Sequence, residues 1–564
     1  MSIKPNKIER FKAKLQPYLF LPEIAALDLE NLNEEQRFYL RNFGIYNHKL
    51  SPDAFMLRLR ICAGRVSLSQ LGTIASLAKE HSLRIIITAR AQIELHGMNA
   101  GNILGIREKL EESGINTWQT LTDNFRNIVT DLFDGQGNMS EIETYPLIKE
   151  MEALFLKNPD YIGTLPRKFN TAICGSRLSS HSFFSNDLYF ALAEKNGVLG
   201  FNLYLGGKNS EMAEDADIFV PPQEVVSLFE AVAKTYIKHG LRETRSKTRL
   251  FHLLQQTGIE KFKMYMQHFY SRDFQSAGTY LGKKTPPRKI TELRDGSYAF
   301  CYRSGFGEIG ADELGKICEY ATINRLSVRL GIDQNLYLLG LKNRTSPFQN
   351  KKGSSCITVC AGSRYCSLAL FDMKKEAAEL PLKRLEKLNV TLGYSGCLKG
   401  CGRHQHVDIG LVGLRTGSFG PTQKSVRLFL GGEYTNGKKT ARLILMAVPL
   451  HGLWDFIGTI LDEFEQSGYK DFEQFSKEIL NHFSADFLAL WFLAKLHTGK
   501  KVLLERYLYE SSTHCLEKEK AAIETAFNEP ALWSDRGVPF HEGIHYLGQI
   551  LWNQDKKSQK QEAE

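Results

Sequence analysis

A long, gapless internal repeat constrains this chain more than any other feature. Residues 53–98 and 296–341 align over 46 positions at an offset of 243, with nine identities. These include Arg60/Arg303, Gly64/Gly307, Leu71/Leu314, Gly72/Gly315, Ala78/Ala321 and Gly97/Gly340. The hydropathy pattern matches better than the identities do. Each copy opens on an alternating strand, AFMLRLRI or SYAFCYRS, and a glycine-containing turn follows. Next comes a helix with apolar residues at i, i+3, i+4 and i+7: Leu71, Ile74, Ala75 and Ala78, or Leu314, Ile317, Cys318 and Ala321. Two short strands close each copy, RIIIT with IELHGM and SVRLG with LYLLGL. This pattern predicts an α+β fold with a pseudo-two-fold cleft, a position that ligands favour.

A weaker repeat follows each copy. NTAICGS and DLYFALAEKNGVLGFNLYLGGK, within 170–208, read as the counterpart of HVDIGLVGLRTGSFG and VRLFLGGE, within 406–433. Both run strand, loop, strand and end in Gly-Gly, so the order is A-B-A′-B′. A length of 564 residues fits about three to four domains. With 43% hydrophobic and 24% charged residues, the composition is that of a soluble globular protein, and excludes disorder and coiled coil. The longest apolar run, 487–496 (FLALWFLAKL), falls short of the ~18 residues a membrane span needs and reads as a buried helix. The first residues, MSIKPNKIERFKAK, lack the apolar core of a secretory signal. The expectation is a cytoplasmic protein with no membrane partner.

Five of the ten cysteines fall between 356 and 401. In a reducing compartment, clustered cysteines point to metal or redox chemistry. Cys360 and Cys366 form C-x5-C, and Cys397 and Cys401 form C-x3-C about thirty residues later. Four thiolates suit a [4Fe–4S] cluster or a structural zinc, and zinc knuckles prefer shorter spacings than x5. Gly362, Gly396, Gly400 and Gly402 flank the set, where backbone must approach closely or take positive φ. Cys356 competes as a ligand on spacing alone. His514-Cys515 and His541/His545 read as ordinary polar residues of a helical tail.

The paired cysteine motifs, with the D-I-G-L-x-G-like strand after them, resemble the siroheme-dependent nitrite/sulfite reductase family. The resemblance runs from about residue 36 to 450, beginning with EQRFYLRNFGIYNHK. It implies that Cys360, Cys366, Cys397 and Cys401 hold a [4Fe–4S] cluster, and that the Cys401 sulfur also bridges to the siroheme iron. It implies a fold of duplicated ferredoxin-like half-domains plus two related nitrite/sulfite reductase domains, with a helical C-terminal extension. The expected division is 1–160 for the lead-in and first half-domain, and 161–290 for the first siroheme-binding reductase domain. The second half-domain takes 291–350, the cluster-bearing reductase domain 351–450, and a helical region without an assigned role 451–564.

The basic residues extend the resemblance. Siroheme is a polycarboxylate and the substrates are anions, so both need fixed cations, arginine above all. MLRLR resembles the family's M-L-R-x-R strand. This implies that Arg60 faces the substrate anion and Arg58 serves the cofactor. Arg126 of RNI also faces the anion, and Lys168 of LPRKFN completes the set while Arg167 meets cofactor carboxylates. TARAQIELH resembles the motif that places Arg90 and His96 near siroheme. That segment departs from the pattern at Ala91 and Glu94, where the family has glutamines. A carboxylate there is unfavourable unless it is protonated or turned to a cation. Asn170 stands where sulfite reductases carry lysine and nitrite reductases asparagine. One fewer cation suits the monoanion nitrite better than the dianion sulfite.

The resemblance therefore implies six-electron reduction of nitrite to ammonia, with sulfite to sulfide as the alternative. No G-x-G-x-x-G follows a strand, so electrons must come from outside, from a ferredoxin or a flavoprotein subunit. A net charge of +9 suits an acidic donor. Two other readings stay open: an iron–sulfur electron-transfer protein without siroheme, and a zinc protein. No basic stripe with interleaved aromatics supports a nucleic-acid partner.

Overall fold

The computed structural model describes residues 5–285, 288–345, 347–349, 353–419, 421–508, 516–528 and 539–552. The chain divides into two compact units, Met1–Lys352 with Thr435–Gly437, and Gly353–Tyr434 with Lys438–Glu564. Helices and sheets are interspersed throughout, and the α+β expectation is borne out.

In the first unit the offset of 243 holds residue by residue. The helices Leu68–Glu80 and Ala311–Ile323, and the strand pairs Arg84–Ile87/Ser327–Leu330 and Ile93–Met98/Leu336–Leu341, coincide at that spacing. So do the left-handed backbone positions: Ala63/Phe306 (φ 51° and 55°), Gly64/Gly307 (72° and 91°), Ser82/Arg325 (52° and 54°), Ala91/Gln334 (51° and 68°) and Gly97/Gly340 (99° in both). The helix boundaries follow from caps. The Ser67 hydroxyl accepts from Gln70 N, and the Gln70 side chain accepts from Ser67 N in return. Glu313 accepts from Gly310 N at the matching station.

The two copies are also interlocked. Each contributes a four-stranded array, and its fifth strand comes from the other copy. Glu308–Ile309 pairs with Arg84–Ile87, and Arg65–Val66 pairs with Ser327–Leu330. The helices Leu68–Glu80 and Ala311–Ile323 pack on each other beside this exchange. Gly64 and Gly307 lie at the crossing points. A Cβ at Gly64 would stand 2.4 Å from the Leu330 carbonyl oxygen, and one at Gly307 2.6 Å from that of Ile87.

The second repeat exists, but its register differs from the expected one. Strand Thr171–Cys174 runs parallel to Leu188–Lys195, which continues antiparallel into Val198–Leu205 and Glu214–Val220. In the second unit Leu392–Ser395 runs parallel to Ile409–Thr416, then antiparallel into Gln423–Leu430 and Arg442–Pro449. Thr171 faces Leu188 and Leu392 faces Ile409, so the offset is 221. NTAIC therefore corresponds to TLGYS at 391–395, and not to HVDIG. The inner strand of a parallel pair is buried on both faces, so it carries no alternation from which to read register.

Residues 451–480 hold two helices, Leu450–Gln466 and Phe472–Glu478, within the expected helical region. The apolar run at 487–496 lies in helix Ala485–Thr498, whose residues 487–494 are wholly buried. This helix packs on strand Arg442–Pro449 and on helices Leu450–Gln466, Leu516–Phe527 and Pro539–Trp552. It is core of the second unit, not an appendage. His514 and Cys515 lie outside the described residues. His541 and His545 are exposed on one helix face, and His545 Nε2 meets Gln549 Nε2 at 2.9 Å. No helix among the described residues is long and apolar enough to cross a membrane.

Candidate anion and cluster sites

The first unit gathers the predicted cations around one loop system. Strand Ser51–Leu59 pairs with Ile93–Met98 so that Arg58 stands opposite Glu94. The Arg58 guanidinium grips Glu94 Oε1, and His96 Nε2 sits 3.0 Å from Glu94 Oε2. Burial opposes ionisation of Glu94, but Arg58 and His96 outweigh it and hold the carboxyl down at about 2. The anomalous glutamate is thus an ionised partner of Arg58 that also meets His96. Arg58 keeps a buried Nε donor without an acceptor.

Arg60 lies just past that strand, its N–H on the Asn116 carbonyl at 2.7 Å. Its guanidinium is only 2% exposed and meets Glu152 at 3.2 Å. It also donates to the carbonyls of Phe125 (2.7 Å) and Gln119 (3.1 Å). Sequence reasoning missed Glu152. The signal was available, because Glu152 lies in the apolar stripe Ile148, Met151, Phe155 of helix Tyr145–Phe155.

Arg126 donates to the Thr120 and Thr122 carbonyls. Burial drives its pKa well down, and Arg58, Arg167 and Arg90 push the same way while Asp123 opposes. Arg58, Arg90, Arg126 and Arg167 are therefore close electrostatic neighbours. Arg90 reaches across to Asn186 Oδ1 (2.8 Å) and the carbonyls of Asn127 (2.6 Å) and Thr171 (3.1 Å). Arg167 stands 3.7 Å from Asp123, whose carboxylate is already gripped by Arg245 at 2.6 Å and Lys12 at 2.9 Å. In LPRKFN, Leu165 and Phe169 are wholly buried, Phe169 among Phe125, Phe229 and Tyr236. That anchoring leaves Arg167, Lys168 and Asn170 half-buried. The Asn170 N–H is fixed on Asp187, which Arg249 holds through two bonds of 2.8 and 2.7 Å.

The cysteine set belongs to the second unit. Strands Ile357–Val359 and Leu392–Ser395 are parallel neighbours, so their C-terminal ends lie side by side. Cys360 leaves the first and Cys397 follows the second. Gly396 N donates to Cys360 Sγ at 3.0 Å, the kind of bond that a cluster thiolate accepts. A Cβ on Gly396 would stand 2.7 Å from Ala369 Cβ and 3.2 Å from that sulfur, so only glycine fits. Burial pushes the Cys360 thiol up to about 12, and the charge of nearby Cys401 adds to this. A bound cation reverses that preference and stabilises the thiolate. Cys366 closes a turn on Gly362 O at 2.9 Å. Cys366 and Cys397 are partly buried, and Cys401 is exposed. Among the described residues no three His, Cys, Asp or Glu side chains stand close enough for a single metal ion. A four-iron cluster spreads its thiolates wider than one ion does. Cys356 lies at the opposite end of Ile357–Val359 from Cys360, about 13 Å along the strand at ~3.3 Å per residue.

Ser395 organises the loop between the last two cysteines. Its hydroxyl accepts from Gly402 N at 3.0 Å and meets His404 Nδ1 at 2.9 Å. Burial lowers the His404 pKa to about 4, so its ring is neutral there. Neither residue stood out in the sequence.

Comparison with known proteins gives a consistent result. Residues 48–113 match the nitrite/sulfite reductase ferredoxin-like half domain, and residues 121–271 the nitrite and sulphite reductase 4Fe-4S domain. The latter span is the first copy of the second repeat, and Cys174 is its only cysteine. The chain is 29% identical over 507 residues to a ferredoxin–nitrite reductase of Synechococcus elongatus, covering 82% of this chain and 96% of that protein. It is 26% identical over 503 residues to the chloroplastic ferredoxin–nitrite reductase of Arabidopsis thaliana, covering 81% and 85%. The solved structure of the Mycobacterium tuberculosis NirA protein superposes with a TM-score of 0.76 at 22% identity, covering 84% of this chain and 96% of that one.

Proposed function

We propose that this chain, which carries the ferredoxin-like half domain and the 4Fe-4S domain of the nitrite/sulfite reductase family, is a member of that family and reduces nitrite to ammonia with electrons from a ferredoxin. One observation carries the reading: Arg126 is held on the Thr120 and Thr122 carbonyls, and after burial itself the charges of Arg58, Arg167 and Arg90 are what push its pKa down. A region lined by one sign of charge raises the local concentration of ligands of the other sign. The relatives named above are ferredoxin–nitrite reductases, and the net charge of +9 suits a small acidic donor.

The residues present fit the family's two prosthetic groups. Siroheme would find carboxylate partners in Arg58, Arg90, Arg167 and His96, and a [4Fe–4S] cluster would take Cys360, Cys366, Cys397 and Cys401. The orphaned Nε of Arg58 and the Gly396 cradle at Cys360 support this assignment. When bound, these groups supply single-electron steps and an open iron position. The protein's share is position and field. Arg126 donates hydrogen bonds to the anion's oxygens, and Lys168 holds protons at Nζ for them as they depart as water. Arg60 braces this arrangement, because it ties the carbonyls of Gln119 and Phe125 at the two ends of the loop that leads into Arg126. Cys401 is the exposed thiol of the set. The cytoplasm would keep these thiols reduced.

Asn170 favours nitrite over sulfite, because it places no cation where a dianion needs one. Steady-state rates with each anion and reduced methyl viologen test the reading. Ammonia from nitrite at the higher kcat/KM is expected. A protein that turns over neither anion, after expression with siroheme synthesis intact, is not this enzyme.

A further inference from the structure

We infer that Glu94 is a specificity-determining residue, a built-in counter-charge that tilts the anion site toward a monoanion. The inference rests on the proposed function and goes beyond it, because Glu94 departs from the family's motif.

The geometry is a closed unit of three side chains on one sheet face. Arg58 and Glu94 are direct cross-strand partners, and His96 lies two residues on from Glu94, so both point the same way. Both carboxylate oxygens are used, Oε1 by Arg58 and Oε2 by His96. Glu94 is only 9% exposed, so water screens it weakly. A glutamine there would keep the shape without the charge: its Oε1 can accept from Arg58, and its NH2 can donate to His96 Nε2 in the tautomer that leaves that nitrogen unprotonated. The glutamate therefore changes the field far more than the packing.

Arg58 is the first of the cations that burden Arg126, so a charge set against Arg58 is felt where the anion binds. Coulomb energy is proportional to the ligand's charge. The Glu94 carboxylate therefore opposes a dianion twice as strongly as a monoanion at the same position. Asn170 withholds a cation from this site, and Glu94 cancels one already present. Both departures act in the same direction. Arg58 is not saturated by the pair, since its buried Nε lacks an acceptor, so it still serves a ligand with diminished charge.

The test uses holoenzyme at about pH 8, where sulfite is the dianion, and Glu94→Gln, Glu94→Asp and Arg58→Gln variants. Two readouts are taken: kcat/KM for each anion, and equilibrium Kd for nitrite and sulfite from spectral titration of oxidised enzyme. Glu94→Gln should raise the sulfite-to-nitrite ratio by roughly five-fold or more in both, the size expected of one charge removed at about 10 Å. Glu94→Asp, which keeps the charge, should stay near wild type, and Arg58→Gln should move the ratio the other way. If Glu94→Gln changes both anions by the same factor, or leaves the ratio unmoved, Glu94 is only a structural partner and the inference fails. Should Glu94→Gln not fold, the Arg58→Gln ratio decides, and no fall in it overturns the inference. Failure of the underlying function is separable, because wild type would then bind and reduce neither anion.

Discussion

The backbone N–H of Asn170 donates to Oδ2 of Asp187 at 2.8 Å. At an offset of 221, Thr391 makes the same bond to Asp408, also at 2.8 Å. In both copies a wholly buried aspartate just ahead of one strand pins the start of its parallel neighbour. In the first copy that pin sets the residue assigned to substrate choice. In the second it sets the strand that leads to Cys397.

Asp187→Asn tests the pin. The amide keeps the shape but leaves Arg249, only 14% exposed, without its charge partner. Stranding a buried charge costs about 3–5 kcal/mol, and urea denaturation should show a loss of that order. The nitrite KM should rise as well, because the Asn170 backbone loses its anchor. A variant with wild-type stability would dismiss Asp187 as the pin.

Asp131 makes stability depend on pH. It is 8% exposed, and burial, reinforced by Asp134, lifts its pKa to about 7. The folded value lies above the unfolded ~3.9. Its contribution is therefore fully present below about pH 4 and is lost as pH rises through 7. Asp131→Asn removes that loss. Relative to wild type, the variant should gain on the order of 2–4 kcal/mol between about pH 4 and pH 8. Parallel stability–pH curves for the two proteins would contradict this.

The cysteines separate cleanly by geometry. Cys397→Ser should abolish most of the iron and acid-labile sulfide of the purified protein. Cys356→Ser should retain both, because Cys356 lies at the far end of its strand from Cys360. Equal iron loss in the two variants would place the ligand set elsewhere.

In the C-terminal region Lys495 and Glu463 form an ion pair with side chains 6% and 1% exposed. Glu463 also accepts from Leu504 N at 2.6 Å. Lys495→Met should cost about 3–5 kcal/mol by stranding the carboxylate, and Lys495→Met with Glu463→Leu should recover part of this. Calorimetry of the single and double variants checks it. A single variant as stable as wild type would show the pair to be unimportant.

Much of the fold was legible because the first repeat is written in glycines and helical periodicity. Gly64/Gly307 and Gly97/Gly340 sit where the backbone is left-handed in both copies. The cysteine spacings were equally direct, since ligand geometry is local. The register of the second repeat was not, because Thr171–Cys174 and Leu392–Ser395 are buried throughout and carry no alternation. Partners of the cations were not legible either. Arg60 meets Glu152 and Arg167 meets Asp123 through contacts between distant segments. Glu94 stood out as an anomaly. What resolves it is the pairing of two strands 36 positions apart in sequence.

The exchanged strands also set a timetable for synthesis. Among the described residues, the sheet edge formed by Arg84–Ile87 is capped only by Glu308–Ile309, and Ile309 follows Ile87 by 222 residues. At about 5–20 residues per second, the ribosome leaves that edge bare for about 10–45 s. A bare edge is a template for unwanted pairing between nascent chains. The first half of this protein therefore emerges unfinished, and a fragment ending anywhere before residue 308 would carry an open seam that only its own later half can close.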